Sequence, residues 1–356
     1  MQLDLFYELS VPAHSGRDEQ QVYADTLEEL VLADRLGFGA AWLVEHHLMP
    51  EYSHSSAPDL FLAAAAQRTR HLRLGLAVVP LPYHHPVQVA ERAATLDLLS
   101  GGRLELGLGR GFDPAEQRLF GVAPAAARAM MLESIDILRR LFAGDAVSFR
   151  GEHYTLEGVR LLPRPVQRPH PPLWLAAVSP ESYDQAAALG LGVLAGPFKP
   201  WVMIRRDLHR YRRACTAPAP VPANRQLAMT VGILCLEDGT AARRLAAECF
   251  PWFYHRLLET TAPVLERLVE GYAWYRRLGR FRHLLRRAAT LPVLERLGLV
   301  IAGDPAHCTR ALARLRAAGV DRVLCAVGAG AVDTAVVRES LEVLAREVAP
   351  ALAQAA

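Results

Sequence analysis

Six histidines fall between positions 46 and 85, at 46, 47, 54, 71, 84 and 85. Imidazole changes charge near neutral pH without a strong perturbation, so His46, in the Glu45-His46-His47 run, is the leading acid–base candidate. The same pair would also serve to cap a strand, and spacing alone does not separate the two readings. Zinc needs three or four ligands of fixed geometry, and the helical HExxH spacing is absent. The first apolar run, LDLFYEL, lacks the HxH pair that metal-dependent barrel hydrolases use, so no metal is expected. Gly107-Leu-Gly-Arg-Gly111 offers main-chain N–H groups and one cation, Arg110, followed by Glu116. Gly109 and Gly111 have no side chain to hold off a flat or charged ligand, although glycines there would equally serve a tight turn. Ser179-Pro180-Glu181-Ser182 reads as a helix N-terminus, with Ser179 as cap and Pro180 in the first helical position. Such an end suits an anion if Arg110 or Arg128 converges on it.

The elements that must position these residues alternate along the chain. Strand-like runs are Leu3–Tyr7, Ala40–Val44, Leu72–Val79, Arg103–Leu108, Leu173–Val178, Gly192–Ala195, Leu227–Leu236 and Arg322–Val327. Between them lie helical stretches at Gln20–Leu36, Pro58–Arg68, Val87–Leu99, Ala127–Phe142, Pro180–Leu189 and Pro305–Ala318. Near-continuous apolar strands alternating with helices predict parallel strands buried on both faces. Eight of them fit a (β/α)₈ TIM barrel, an α/β fold whose core takes about 250 residues. The remainder goes to insertions in one domain spanning 1–356. One, at about 145–172, reads as a hairpin with a proline-rich return. The other, at about 257–297, is rich in arginine and leucine and reads as a helical excursion. Residues 216–224 read as a rigid linker. An open doubly wound sheet would need a glycine-rich turn after its first strand, where the chain has ELSVPAHSG.

The 356 residues are 51% apolar and 22% charged, which excludes global disorder. Forty basic against 37 acidic side chains leave +3, too even for a nucleic-acid footprint. Lys199 is the sole lysine. Five cysteines with no close pair argue against a disulfide framework or zinc ribbon. Asp4 and Glu8 interrupt what a signal peptide would need, and no stretch reaches the ~18–20 apolar residues of a membrane span. A soluble protein of the cytoplasm is expected.

Taken in order, GFGAAWLVEHH, LGLAVVPLPYHHPVQVAE, LDLLSGGRLELGLGRGF with RLFGV, and PLWLAAVSPES resemble the bacterial luciferase-like flavin-dependent monooxygenases. AGDPAHCTRALARLRAAGVDRVLC supports the resemblance near the end. It covers most of the chain, with 257–297 matching only in position and 145–172 loosely. It implies a TIM barrel, usually dimeric, that binds reduced FMN supplied by a separate flavin reductase. With O₂ this gives a C4a-peroxyflavin that oxidises an aldehyde, ketone or secondary metabolite.

Carried over residue by residue, His46 is the histidine important to activity, with Glu116 placed to tune or relay its proton. Arg110 and Arg128 would contact the flavin phosphate, and the hydroxyls of Ser179 and Ser182 would complete its nest, with Val178 contributing backbone. Gly109 would lie beside the flavin, and a non-proline cis peptide under the ring falls at Ala77–Val78. The segment 257–297 would act as a lid, and helices Pro58–Arg68 and Val87–Leu99 would pair two like or unlike subunits. The chain departs from luciferase itself at Gly109, where a reactive cysteine stands, and at Val178, where a glutamate stands. Leu48 after the histidine pair and GPFKPW near 197 also differ, which points away from a long-chain aldehyde and from light emission. A coenzyme F420-dependent hydride-transfer oxidoreductase and a silent flavin-binding subunit beside an active paralogue are the alternatives.

Overall fold

The apolar runs do close on themselves. The computed structural model describes residues 1–197, 199–216, 222–271, 289–330 and 332–354, the side chains of 261–271 excepted. Its strands are β1 (Gln2–Tyr7), β2 (Ala40–Leu43), β3 (Arg73–Pro80), β4 (Leu104–Gly109), β5 (Val147–Arg150), β6 (Thr155–Val159), β7 (Leu173–Ala176), β8 (Gly192–Ala195), β9 (Leu227–Cys235), β10 (Val300–Gly303) and β11 (Arg322–Ala326). Eight form a closed parallel ring in the order β1-β2-β3-β4-β7-β8-β9-β11. Register pairs such as Gln2↔Arg322 and Val193↔Leu227 complete the circuit. These are the eight strands expected from sequence, each within about two residues.

The ninth parallel strand, β10, was not expected. β9 is long enough to hold two partners along one edge. Leu227–Met229 pairs with β8 and Gly232–Cys235 with β10 along that edge, while Ala228–Gly232 pairs with β11 on the other. Four residues between a short helix and a longer one carry too little periodicity to stand out.

Strand alternation sends Asp4, Trp42, Glu105, Trp174 and Arg322 into the lower half of the ring. Arg322 Nε lies 2.8 Å from Asp4 Oδ2, and its Nη1 lies 3.0 Å from Glu105 Oε1. The Trp42 indole N–H donates to Asp4 at 2.9 Å and that of Trp174 to Glu105 at 2.7 Å. The two indole rings meet edge to face at 5.4 Å. Burial pushes the Asp4 carboxyl up to about 6, against the pull of Arg322. This charged layer closes the floor and leaves the strand C-terminal ends to form the site.

The outer helices follow their sequence signals. In α1 (Glu19–Leu36), Asp18 accepts from the Gln21 N–H, and Gly37 ends the helix at φ +82°. Helices α2 (Pro58–Arg68) and α3 (Pro86–Leu99) pack on the ring, followed by α4 (Pro114–Leu119) and α5 (Ala127–Ala143). The 145–172 segment forms the antiparallel hairpin β5–β6 and then an extended return with cis bonds at Pro163 and Pro169. Gln167 pins that return to Asp97 through its N–H at 2.9 Å and its amide at 2.7 Å.

Beyond β7 come α6 (Pro180–Ala188), α7 (Trp201–Ala214) and α8 (Gly239–Gly271), which runs through residue 257 without a break. The expected 257–297 segment therefore begins inside a helix. Its residues 272–288, and 217–221 of the expected linker, lie outside the described residues. Leu291–Arg296, Pro305–Ala317 and Thr334–Val343 complete the main helices. Among the described residues no helix is long and apolar enough to cross a membrane.

Candidate active site

A cavity of about 250 Å³ opens at the C-terminal ends of the strands. His46, Ala77, Val78, Gly109, Arg110, Glu116, Arg128, Val178, Ser179 and Ser182, the residues singled out from sequence, all line it. They reach it from β2, β3, β4, α4, α5 and the β7–α6 junction, elements far apart in the chain.

At one side, α4 brings Glu116 back over the end of β2. Asp113 caps the helix, accepting from the N–H groups of Ala115 and Glu116 at 2.5 and 3.0 Å, and Pro114 occupies the first helical position. Glu116 is buried, and Oε1 accepts from the His47 backbone N–H at 2.7 Å while lying 3.4 Å from His46 Nδ1. Its Oε2 accepts from the Tyr83 hydroxyl at 3.2 Å. The His46 side chain is 14% exposed. Burial works against its charge, but the Glu116 contact and the charges of Glu8, Glu116 and Glu45 outweigh it and hold the imidazole above its ordinary value. The ring packs against Phe112 at 5.5 Å and Tyr52 at 6.3 Å. Next to it, Glu45 Oε1 is flanked by His84 Nε2 at 2.5 Å and His47 Nε2 at 3.3 Å. Despite burial, these contacts keep Glu45 below the usual carboxylate range. Within the histidine-rich stretch His46, His47, His54 and His84 thus lie against carboxylates, and no cluster fit to hold a metal ion occurs among the described residues.

At the other side lies a place for an anion. The side chains of Arg110 and Arg128 line the cavity, and neither makes a hydrogen bond or ion pair among the described residues. The N-terminus of α6 faces the same space. Ser179 stands in the extended N-cap position, but its side chain makes no capping bond, contrary to the sequence reading. Ser182 stabilises the turn instead. Its hydroxyl accepts from the Val178 N–H at 3.0 Å and donates to the Ser179 carbonyl at 2.6 Å. Below the turn, the sole lysine is buried: Lys199 Nζ donates to the Val178 carbonyl at 2.6 Å and is paired with Asp207.

Between the two sides, the peptide Ala77–Val78 is cis. A methyl group built on Gly109 would stand 2.5 Å from Val78 Cγ2, so the end of β4 must stay bare there. The remaining wall is largely apolar, with Leu175, Leu194, Leu257 and Leu294 among its residues.

Sequence reasoning passed over Glu8, Tyr52 and Tyr83. Glu8 directly follows β1, where a barrel rule applied to every strand would have marked it. Tyr52 sits in a loop and Tyr83 in a single 3-10 turn, and neither carries a spacing signal.

A closed parallel ring with a cavity at its strand C-terminal ends defines the TIM-barrel class, and the comparisons agree. The luciferase-like monooxygenase family model matches residues 1–322, and the chain belongs to that family. It is 42% identical over 164 residues to 4-hydroxyprotoasukamycin monooxygenase of Streptomyces nodosus subsp. asukaensis, covering 46% of this chain and 44% of that one. It is 35% identical over 182 residues to the oxygenase component of flavin-dependent trigonelline monooxygenase of Acinetobacter baylyi, covering 50% of each. The chain spans about half the length of the curated relatives it matches. The solved structure of monooxygenase RslO1 from Streptomyces bottropensis matches with a TM-score of 0.82 and 27% identity, over 98% of this chain and 99% of that one.

Proposed function

We propose that this chain is the oxygenase of a two-component system that takes reduced FMN from a separate flavin reductase and oxidises an organic substrate with O₂. One observation carries the reading: a single cavity joins two unpaired arginines and a helix N-terminus to a buried imidazole–carboxylate pair. Two cations without acidic partners, beside main-chain N–H groups, fit a phosphate dianion. Gly109 lets Val78 pack close against the end of β4, and both residues line the cavity where the ring system would lie. The name of the trigonelline relative, an oxygenase component, supports a reductase partner.

Arg110 and Arg128 would hold the phosphate, with the Ser179 hydroxyl and the first N–H groups of α6. Ser182 and Lys199 fix that turn through Val178 and Ser179. When bound, reduced FMN supplies the activation of O₂ from which one oxygen atom passes to substrate. With His46 Nδ1 on Glu116, Nε2 is the ring atom left to give or take a proton. Tyr254, Leu257 and Leu294 wall the cavity with apolar surface and exclude water.

The test is a parallel anaerobic titration of the protein with reduced FMN and reduced F420, read by protein fluorescence. Tighter binding of reduced FMN is expected. Tighter binding of reduced F420 would move the protein to hydride transfer.

A further inference from the structure

Among the carboxyl groups on the cavity wall, Glu8 stands apart. Side chains of β1 alternate, so Asp4, Phe6 and the residue just past the strand, Glu8, share the inward face. Asp4 is consumed by the floor, whereas Phe6 and Glu8 line the cavity. Glu8 is only 8% exposed. The Tyr52 hydroxyl donates to its Oε1 at 3.0 Å, and Ser53 Oγ donates to its main-chain oxygen at 2.8 Å. These two contacts fix the backbone and one carboxyl oxygen. The second oxygen, Oε2, is buried and has no hydrogen-bond partner among the described residues. A buried carboxyl oxygen without a donor is exceptional and calls for an explanation.

The other carboxyls of the wall do not share this state. Glu116 has both oxygens engaged. Glu45 also has a bare Oε2, but its charge is offset by two imidazoles on Oε1. Glu8 has no cation in hydrogen-bond contact, and His46 is the basic group whose charge acts on it. Burial accordingly pushes the Glu8 carboxyl above its ordinary range, against His46, Tyr52 and Ser53. Glu8 also lines a smaller cavity with Arg17, whose Nε is likewise buried without a hydrogen-bond partner among the described residues. Leu299 and Leu324 share the wall of the main cavity, and the Tyr254 hydroxyl is spent on the Leu299 carbonyl at 2.7 Å. In the ring, β1 lies diametrically opposite β7, which leads into the proposed phosphate turn. Glu8 therefore joins the cavity wall at the end that the phosphate would leave open.

We propose that Glu8, braced by Tyr52, selects the organic substrate by accepting a hydrogen bond at Oε2 from a hydroxyl or protonated amine on it. The proposal rests on reading the cavity as the shared site of flavin and substrate. A carboxylate substrate is disfavoured in the same position, because Glu8, Glu45 and Glu116 all face it with negative or acceptor character. A neutral hydroxyl donor or a cation completes the unmet valence; a bare hydrocarbon leaves it unmet.

The experiment compares wild type and E8Q, both loaded anaerobically with reduced FMN. Benzylamine, benzyl alcohol and benzoate are titrated in at about pH 8, where the amine and the acid are largely charged. Glutamine keeps an acceptor for Tyr52 and turns an N–H₂ group toward the cavity. Wild type is expected to bind the amine and the alcohol about tenfold more tightly than benzoate, and E8Q to lose most of that preference. The affinity for reduced FMN stays the same in both proteins. Equal affinity of wild type for benzoate and benzylamine, no binding of benzylamine, or an unchanged preference in E8Q overturns the proposal. Failure of both proteins to bind reduced FMN sinks the flavin reading instead, which keeps the two failures distinguishable.

Discussion

Replacing Gly109 by alanine tests whether the floor of the cavity is shaped by one contact. The new methyl would lie 2.5 Å from Val78 Cγ2, 3.6 Å from Val78 Cβ and 3.9 Å from the Ala176 methyl. Carbon pairs rest at about 3.5–4.0 Å, so the first contact is short by about 1 Å. Val78 is β-branched and stiff at χ1, so the conflict is not relieved by a free rotation. Overpacking of this kind costs about 1–3 kcal/mol. V78A alone removes two methylene-sized groups that are half-buried, a loss of about 1 kcal/mol. If the two changes were independent, their costs would sum to about 2–4 kcal/mol. Because V78A removes the atom that G109A strikes, the double variant should sit near V78A, leaving a coupling of at least about 1 kcal/mol. Urea unfolding followed by circular dichroism on the four proteins gives the cycle. Wild-type stability in G109A, or a double variant at the additive sum, would refute the reasoning.

Three further outcomes are expected. In E116Q the hydrogen bond and charge of Glu116 are gone while burial and the charges of Glu8 and Glu45 remain, so the His46 titration, followed by histidine ring NMR, should fall from its raised value. A raised histidine stabilises the fold fully below its unfolded value and loses that contribution as pH rises through the folded one. The stability gap between wild type and E116Q should therefore narrow on going from acid to alkaline pH; a constant gap contradicts the assignment. R322M leaves Asp4 and Glu105 buried without their shared cation and should cost about 3–5 kcal/mol in urea unfolding, where a loss under about 1 kcal/mol would show the layer to be dispensable. K199M should cost a similar amount by exposing Asp207 to an apolar neighbour, and K199M/D207L should recover at least about 1 kcal/mol of it; no recovery would mean that Lys199 acts through another contact.

Much of the barrel was legible because its strands are continuous apolar runs bounded by helix signals, as at Ala40–Leu43 and Gly192–Ala195. The cavity residues were legible for a different reason. The rule that chemistry sits past strand ends pointed to His46, Arg110 and Ser179, and the resemblance added the Ala77–Val78 peptide and gave Arg128 its role. What stayed hidden depends on contacts between distant segments. The link from Tyr52 to Glu8 spans 44 residues, whereas the partnership of His46 with Glu116, 70 residues apart, was already expected. The capping role expected of Ser179 failed because the Ser182 N–H, which a cap hydroxyl would accept, donates to the Ser179 carbonyl at 3.0 Å instead. β10 stayed hidden because its pairing is dictated by the surplus length of β9.

The central claim is that Arg110 and Arg128 hold the phosphate of a flavin in this cavity. The most direct measurement is the anaerobic affinity of wild type and R110Q/R128Q for reduced FMN and for reduced riboflavin, which differs by the phosphate alone. Wild type should prefer reduced FMN by at least about tenfold, each charge-assisted contact contributing about 1.5–3 kcal/mol, and the double variant should bind the two flavins alike. Equal binding of both flavins by wild type, or an undiminished preference in the double variant, would contradict the account.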